Sequence, residues 1–183
     1  MIRLFSLDDL DSILQIESQS FPKSPYDWTT FLNLHYLYPE TFLVYVSPSS
    51  HRPEASCSLG VGSERALHRR REGLDSDAAQ RTDTNHGREE EKISGYIIFS
   101  RDGHIISIAV HPQHRKKGIG TQLLQRALKS FHPKKVWAEV RRSNQGAQTF
   151  YLKMGFQITG MVPNYYGNED ALIVEWAHPL LEE

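Results

Sequence analysis

An α/β fold with a mixed sheet is what this 183-residue chain predicts, on three observations. β-branched apolar runs alternate with stretches whose apolar residues recur at helical spacing. Their order is strand, two helices and strands, then strand, helix, strand, helix and two further strands. Between one such strand and one such helix lies Val110-His111-Pro112-Gln113-His114-Arg115-Lys116-Lys117-Gly118-Ile119-Gly120-Thr121. A segment of this kind reads as an anion site, or else as a basic loop with glycine at a tight turn. Unpaired N–H groups open the helix, glycine permits close approach, and the cations add charge.

The elements follow in order. Residues 2–6 form a first strand. Leu7, Leu10, Ile13, Leu14 and Phe21 then mark a helix, with Ser6 and Asp9 spaced as a capping pair. Phe21-Pro22-Lys23-Ser24-Pro25 breaks it. Trp28, Phe31, Leu32 and His35 mark a second helix, and residues 41–46 a strand. Residues 93–100 make the next strand, which turns at Asp102-Gly103 into the strand from His104 through Ile105, Ile106, Ile108 and Val110. Ile119, Leu123, Leu124, Ala127, Leu128 and Phe131 give one face of an amphipathic helix. Val136–Val140 reads as a strand. Ser143 or Asn144 caps the helix carrying Ala147, Phe150, Tyr151 and Met154, and Gly155 stops it.

Residues 48 to about 92 differ in kind. Ser, Pro, Arg and Glu dominate, and charges of both signs nearly cancel. Such a segment buries too little apolar surface to offset its ordering entropy and is expected to be disordered. A short helix around Glu64–Arg71 is compatible with it, and Arg69-Arg70-Arg71 offers a contact to an acidic partner.

Composition narrows the function. A chain of this length makes one domain with a sizeable core. A net charge of −1 argues against general nucleic-acid binding, so the cations at 115–117 are a local feature. The single cysteine, Cys57, excludes an internal disulfide and a cysteine-rich zinc site. No apolar run approaches the ~20 residues of a membrane span, and no signal-peptide core opens the chain. A cytoplasmic protein without membrane contact is expected. His111 and His114 lie in a proline-containing loop, and with His104 they lack an accompanying Asp, Glu or Cys, so no metal is expected.

Three phosphate-cradling designs can be compared with residues 110–121. A P-loop requires a Gly-Lys-Ser/Thr end, which is absent. A dinucleotide fingerprint requires a third glycine where Leu123 stands. Arg115-x-x-Gly118-x-Gly120 after a strand resembles the pyrophosphate loop of the GNAT acetyltransferases. The run from Asn144 through Ala147, Phe150 and Tyr151 to Gly155-Phe156 resembles a second segment of that family. Gly160, Tyr165-Tyr166-Gly167 and Glu169-Asp170-Ala171 resemble the hairpin of its protein N-terminal branch. That branch includes the bacterial ribosomal-protein alanine acetyltransferases and their archaeal relatives. Two departures stand out: the hairpin tip is one residue shorter than is common, and Lys23 replaces the tryptophan frequent in the bacterial enzymes.

The resemblance implies a GNAT fold, a mixed central sheet splayed around acetyl-CoA and flanked by about four helices. Residues 1–183 would be one domain, with 48–92 inserted where that fold makes a short turn. Acetyl-CoA would lie between the strands ending at Val110 and near Val140. Its pantetheine arm would run along Ile108, Ala109 and Val110 and pair with backbone groups of Ile108 and Val110, whose N–H groups are also the oxyanion donors. Its pyrophosphate would rest on Arg115, Lys116, Lys117, Gly118, Ile119 and Gly120, with Thr121 in the first helical turn. Asn144 would serve as helix cap, as contact to the arm, or both.

Acetyl transfer needs a neutral amine, a stabilised oxyanion and a proton for the thiolate. With an α-amine pKa near ~8, a base is worth ~10²–10⁴-fold and positioning up to ~7–11 kcal/mol. In the ribosomal-protein enzymes a glutamate matching Glu139 is the base and a tyrosine matching Tyr151 the acid. By residue type alone, Glu139 also reads as a solvated strand-end carboxylate and Tyr151 as a core aromatic. His111 is an alternative base. Tyr165 and Tyr166, with Phe21 and Pro22, would flank a groove for a peptide N-terminus, or else form an ordinary hairpin pair. The implied function is acetylation of a protein N-terminal α-amine by direct attack. A small-molecule or lysine acetyltransferase, and a non-catalytic CoA-binding regulatory domain, are the alternatives.

Overall fold

The structure, a computed structural model, describes residues 1–47 and 92–177. The expected disorder, short helix and partner contact of the charged segment lie outside the described residues, as does Cys57. Lys92, placed in that segment by composition, instead opens a strand.

The chain begins with β1 (Ile2–Leu4) and a 3-10 turn at Leu7–Asp9, where Ser6 and Asp9 cap each other. Arg3 locks this corner through two bonds to the Asp9 carboxylate, at 2.7 and 2.8 Å. α1 (Leu10–Ser20) stops before Pro22, which cannot continue a helix, and α2 (Trp28–Leu37) starts on an Asp27 cap. There follow β2 (Phe42–Ser47), β3 (Lys92–Phe99), β4 (Ile105–Val110), a 3-10 turn at Pro112–His114, and α3 (Ile119–Phe131). β5 (Lys135–Arg141), α4 (Gln145–Lys153), β6 (Gln157–Val162) and β7 (Ala171–Ala177) complete the order. Among the described residues no helix is long and apolar enough to cross a membrane.

The strands form two antiparallel sheets, β1-β2-β3-β4 and β5-β7-β6. The parallel component of the expected mixed sheet is confined to one bridge between β4 and β5, at His104 and Trp137. Trp137 N–H donates to Gly103 O there, at 3.0 Å. Gly103 makes this approach possible. Its φ is +108°, and a Cβ at that position would lie 1.9 Å from Lys135 O. Beyond the bridge no ladder joins the two strands, and the sheet splays.

Both faces of the first sheet are covered, so β3 is buried on both sides, as an interior strand demands. Tyr96 and Ile98 pack with Phe5, Ile13, Ile16 and Phe31 toward α1 and α2. Ile97 and Phe99 pack toward α3 with Leu123, Leu124 and Ala127, in a core that also takes in Val136, Ala138 and Val174 of the second sheet. Gly95 sets the depth of α3. A Cβ on it would stand 2.9 Å from Ala109 O and 3.2 Å from the Ile119 side chain. The first turn of α3 therefore settles against β3 beside the end of β4.

Candidate active site

One edge of β4 faces the splay. His111 N–H donates back to Ser94 O of β3 at 2.9 Å, and β4 pairs antiparallel with β3 throughout. Antiparallel N–H groups alternate in direction, so those of Ala109 and Ser107 also point to β3, and those of Ile108 and Val110 point into the gap. Both residues are half-buried there. The sequence-predicted arm-binding pair is thus the pair with open backbone donors.

At the end of this edge the chain turns through the basic loop. Lys116 and Gly118 both take left-handed backbone, at φ +61° and +79°. α3 then starts at Ile119 with no side chain capping its first turn. Successive N–H groups in such a bend converge, and the helix start adds its positive end. Lys116 and Lys117 are exposed around it. Arg115 behaves differently. Its guanidinium donates to Val110 O at 3.0 Å and to Ser20 Oγ at 3.0 Å, tying the loop to β4 and α1. The loop is also anchored by His114, whose Nδ1 lies 2.8 Å from the buried Ser94 hydroxyl. Thr121 lies in the first turn of α3, and Asn144 Oδ1 caps α4 by accepting from Ala147 N–H at 3.0 Å.

Glu139 stands two residues past the bridge on the half-buried face of β5, and its Oε2 lies 2.7 Å from His104 Nε2. The His104 ring is stacked on Trp137, with centroids 5.4 Å apart and planes within 6°. This pair closes the narrow end of the splay. Tyr151, on α4, is 4% exposed and packs on Phe150 and Phe156. Burial, with Tyr166 and Glu139 adding to it, pushes its phenol well above the usual range, so it stays protonated near neutral pH. His111, by contrast, sits at the far end of β4, where its ring caps the 3-10 turn by accepting from Gln113 N–H.

Two loops meet over the splay. Tyr166 donates its hydroxyl to Glu139 O at 3.1 Å, and the Arg141 guanidinium lies 3.9 Å from the centre of its ring. Burial, with Tyr165 next in importance, raises the Tyr166 phenol to about 12. Tyr165 is exposed and meets Tyr166 edge to face at 4.9 Å. Arg141 also donates to Ser24 Oγ in the α1–α2 loop at 2.6 Å, and Lys23 of that loop lies 3.7 Å from Glu169 in the β6–β7 loop. Tyr26 lies in the same α1–α2 loop with its ring edge-on to Phe31 at 5.9 Å, and burial, then Glu17, pushes its phenol up. Phe21 packs partly into the α1–α2 core, and Pro22 is exposed at the loop's start. His104, Arg141 and Tyr26 were not predicted as site residues. Long-range pairing brings them in, and of the three only His104 is singled out by the sequence, as a histidine considered for a metal.

Glu169 is the fastening of this arrangement. Hydrogen bonds from Ser143, then attraction to Lys23 and Arg141, hold its carboxyl at about 2. A free glutamate titrates near ~4.3, so this stabilisation is present above that value and lost as pH falls toward the folded-state pKa. Glu169→Gln is expected to flatten the stability profile across that acid window, measured as urea midpoint against pH. A variant that keeps the wild-type slope would show that the contacts contribute nothing.

A model of the acetyltransferase (GNAT) family matches residues 49–156. Over 183 residues the chain is 31% identical to an uncharacterized N-acetyltransferase of Methanocaldococcus jannaschii, covering 95% of this chain and 89% of that protein. Over 79 residues it is 40% identical to an N-alpha-acetyltransferase of Sulfurisphaera tokodaii, a match that spans 40% of this chain and about half of the relative, 47%. The crystal structure of Ard1 from Thermoplasma volcanium is similar with a TM-score of 0.67 and 26% identity, covering 97% of this chain and 96% of that one.

Proposed function

The chain belongs to the acetyltransferase (GNAT) family, and from that premise we propose that it acetylates the free α-amine at a polypeptide N-terminus. One observation carries the finer reading. The α1–α2 loop is fastened across the mouth of the splay by Ser24 to Arg141 at the end of β5 and by Lys23 to Glu169 of the β6–β7 loop, with Tyr166 bonded to Glu139 O and Tyr165 edge-on to Tyr166. An opening bounded in this way suits a thin, extended chain end. The N-alpha-acetyltransferase name of the Sulfurisphaera relative supports the same substrate. The reading puts the protein in the cytoplasm, where nascent N-termini and acetyl-CoA meet.

Acetyl-CoA supplies the thioester, and the residues of the gap fit it as the sequence motif implies. The loop from Arg115 to Gly120 with the open first turn of α3 takes the pyrophosphate, and Lys116 and Lys117 add through-space attraction of ~0.3–1 kcal/mol each. Arg115 contributes by holding the loop to β4 rather than by reaching outward. Ile108 and Val110 present N–H donors to the arm and to the carbonyl oxygen. Glu139 accepts the proton of the attacking amine, and His104, bonded to its far oxygen, keeps the carboxylate aimed along the splay. Tyr151 donates a proton to the departing sulfur. Binding that aligns amine and thioester supplies the larger share of the rate.

A mass-spectrometric assay tests the reading with acetyl-CoA and paired peptides, each with a free or a blocked N-terminus. Acetylation confined to the free α-amine is the expected result. Lysine acetylation in blocked peptides would move the substrate class to side-chain amines, and no turnover on any peptide would remove the reading.

A further inference from the structure

Beneath the α1–α2 loop lies a polar cluster that the proposed reaction does not use. Glu17 is on the apolar face of α1 one turn after Ile13, and it is 2% exposed. One carboxylate oxygen accepts from the Tyr96 hydroxyl, and the other from the backbone N–H of Tyr26 at 3.0 Å. Tyr96 is fully buried on β3, and its hydroxyl also lies 3.0 Å from Ser107 Oγ on β4. Burial pushes the Glu17 carboxyl up, against the two donors that favour its charge. A carboxylate in such a place is costly, and an apolar side chain would pack there at lower cost. Core stability therefore does not account for it.

The loop itself suggests what it does. Pro22 and Pro25 have no N–H, and between Pro22 and Tyr26 the partnered backbone donors are Ser24, to Phe21 O at 3.2 Å, and Tyr26, to Glu17. The first bond is local to the loop. The second is the backbone link from the loop to the core. The Tyr26 ring packs edge-on against Phe31 at 5.9 Å, and the preceding loop residues Lys23 and Ser24 reach Glu169 and Arg141 at the mouth of the splay.

We propose that Glu17 is a positioning residue of the peptide groove, tethering the Tyr26 backbone so that the α1–α2 loop is held against Arg141 and Glu169 at the mouth of the splay. The inference rests on the N-terminal acetyltransferase reading. α1, β3 and β4 form the rigid base, Glu17 is the post, and the loop takes its place from that post. Glu17 touches no reacting atom.

Glu17→Leu and Glu17→Gln separate this role from plain stability. Leucine fills the space and removes the acceptor. Glutamine keeps an acceptor for Tyr26 N–H, and its amide can donate to Tyr96 while Tyr96 donates to Ser107. Glu17→Leu is expected to raise the peptide KM about three- to tenfold, the usual weight of one buried hydrogen bond, with kcat and acetyl-CoA affinity unchanged. Glu17→Gln should restore the wild-type KM. An unchanged peptide KM in Glu17→Leu would overturn the proposal, as would parallel losses in peptide and acetyl-CoA affinity or equal damage from the glutamine. Amide hydrogen exchange across residues 22–27 judges the tether without turnover. Faster exchange in Glu17→Leu and wild-type exchange in Glu17→Gln support it, and equal protection in all three chains overturns it. If the wild type acetylates no free N-terminus, the functional reading fails on its own, and the exchange result still decides the tether.

Discussion

Tyr151→Phe is expected to lower kcat for peptide acetylation by about 10²–10⁴-fold while acetyl-CoA binds with unchanged affinity. The ring is structural: it is 4% exposed and packs on Phe150 at 5.3 Å and Phe156 at 5.1 Å. Phenylalanine keeps all of that. The hydroxyl bonds to none of the described residues, so its removal leaves no buried partner stranded and stability should hold. What disappears is a donor that burial keeps protonated. A thiolate leaving without that proton is the poorer leaving group, and the loss falls on kcat rather than on KM. Single-turnover rates with thermal unfolding and calorimetry as controls measure it. Wild-type kcat in a folded, cofactor-binding variant would remove the donor role from Tyr151.

Local signals in the chain located the elements closely. The periodicity of Ile119, Leu123, Leu124, Ala127 and Phe131 predicts α3, which runs Ile119–Phe131. Ser6 with Asp9, and Asn144, cap where spacing placed them, and Gly155 ends α4 with φ +88°. These depend on neighbours within a few residues, which a sequence displays directly. Features depending on distant pairs were not displayed. That β4 and β5 share a single backbone bridge, at His104 and Trp137, depends on Gly103 meeting Lys135, across 32 residues. The His104–Glu139 contact follows from that bridge, and His104 had shown itself only as a metal-ligand candidate of low merit. Arg141 gave no signal, because its partners come from two distant loops, Ser24 from α1–α2 and Tyr166 and Glu169 from β6–β7. Glu17 was not read from the sequence, although a signal for it was present. A carboxylate four residues after Ile13, on the buried face of a helix, breaks the apolar pattern and marks a buried acid, though not what it holds.

The two glycines of the phosphate loop have unlike reasons, and the difference makes Gly120→Val the sharpest test of the cofactor site. Gly118 is held at φ +79°, a conformation other residues adopt with strain, and a Cβ there would meet little. Gly120 lies inside α3 with helical backbone. A Cβ on it would stand 3.4 Å from the Phe150 ring and 3.7 Å from Val110 Cγ2, a fit without slack. Alanine therefore enters with modest adjustment and should retain acetyl-CoA binding. Valine adds two γ carbons beyond that limit. They press on Phe150 and Val110 and drive the first turn of α3 away from the end of β4, or else project into the space before its open N–H groups. Either way the donors cease to converge, and a pyrophosphate needs several of them at once. Gly120→Val should show no acetyl-CoA binding by calorimetry, with circular dichroism matching wild type. Near-normal affinity in that variant would sink the pyrophosphate assignment. Equal loss in Gly120→Ala would trace the effect to the packing of α3 on α4, not to the path of the phosphate.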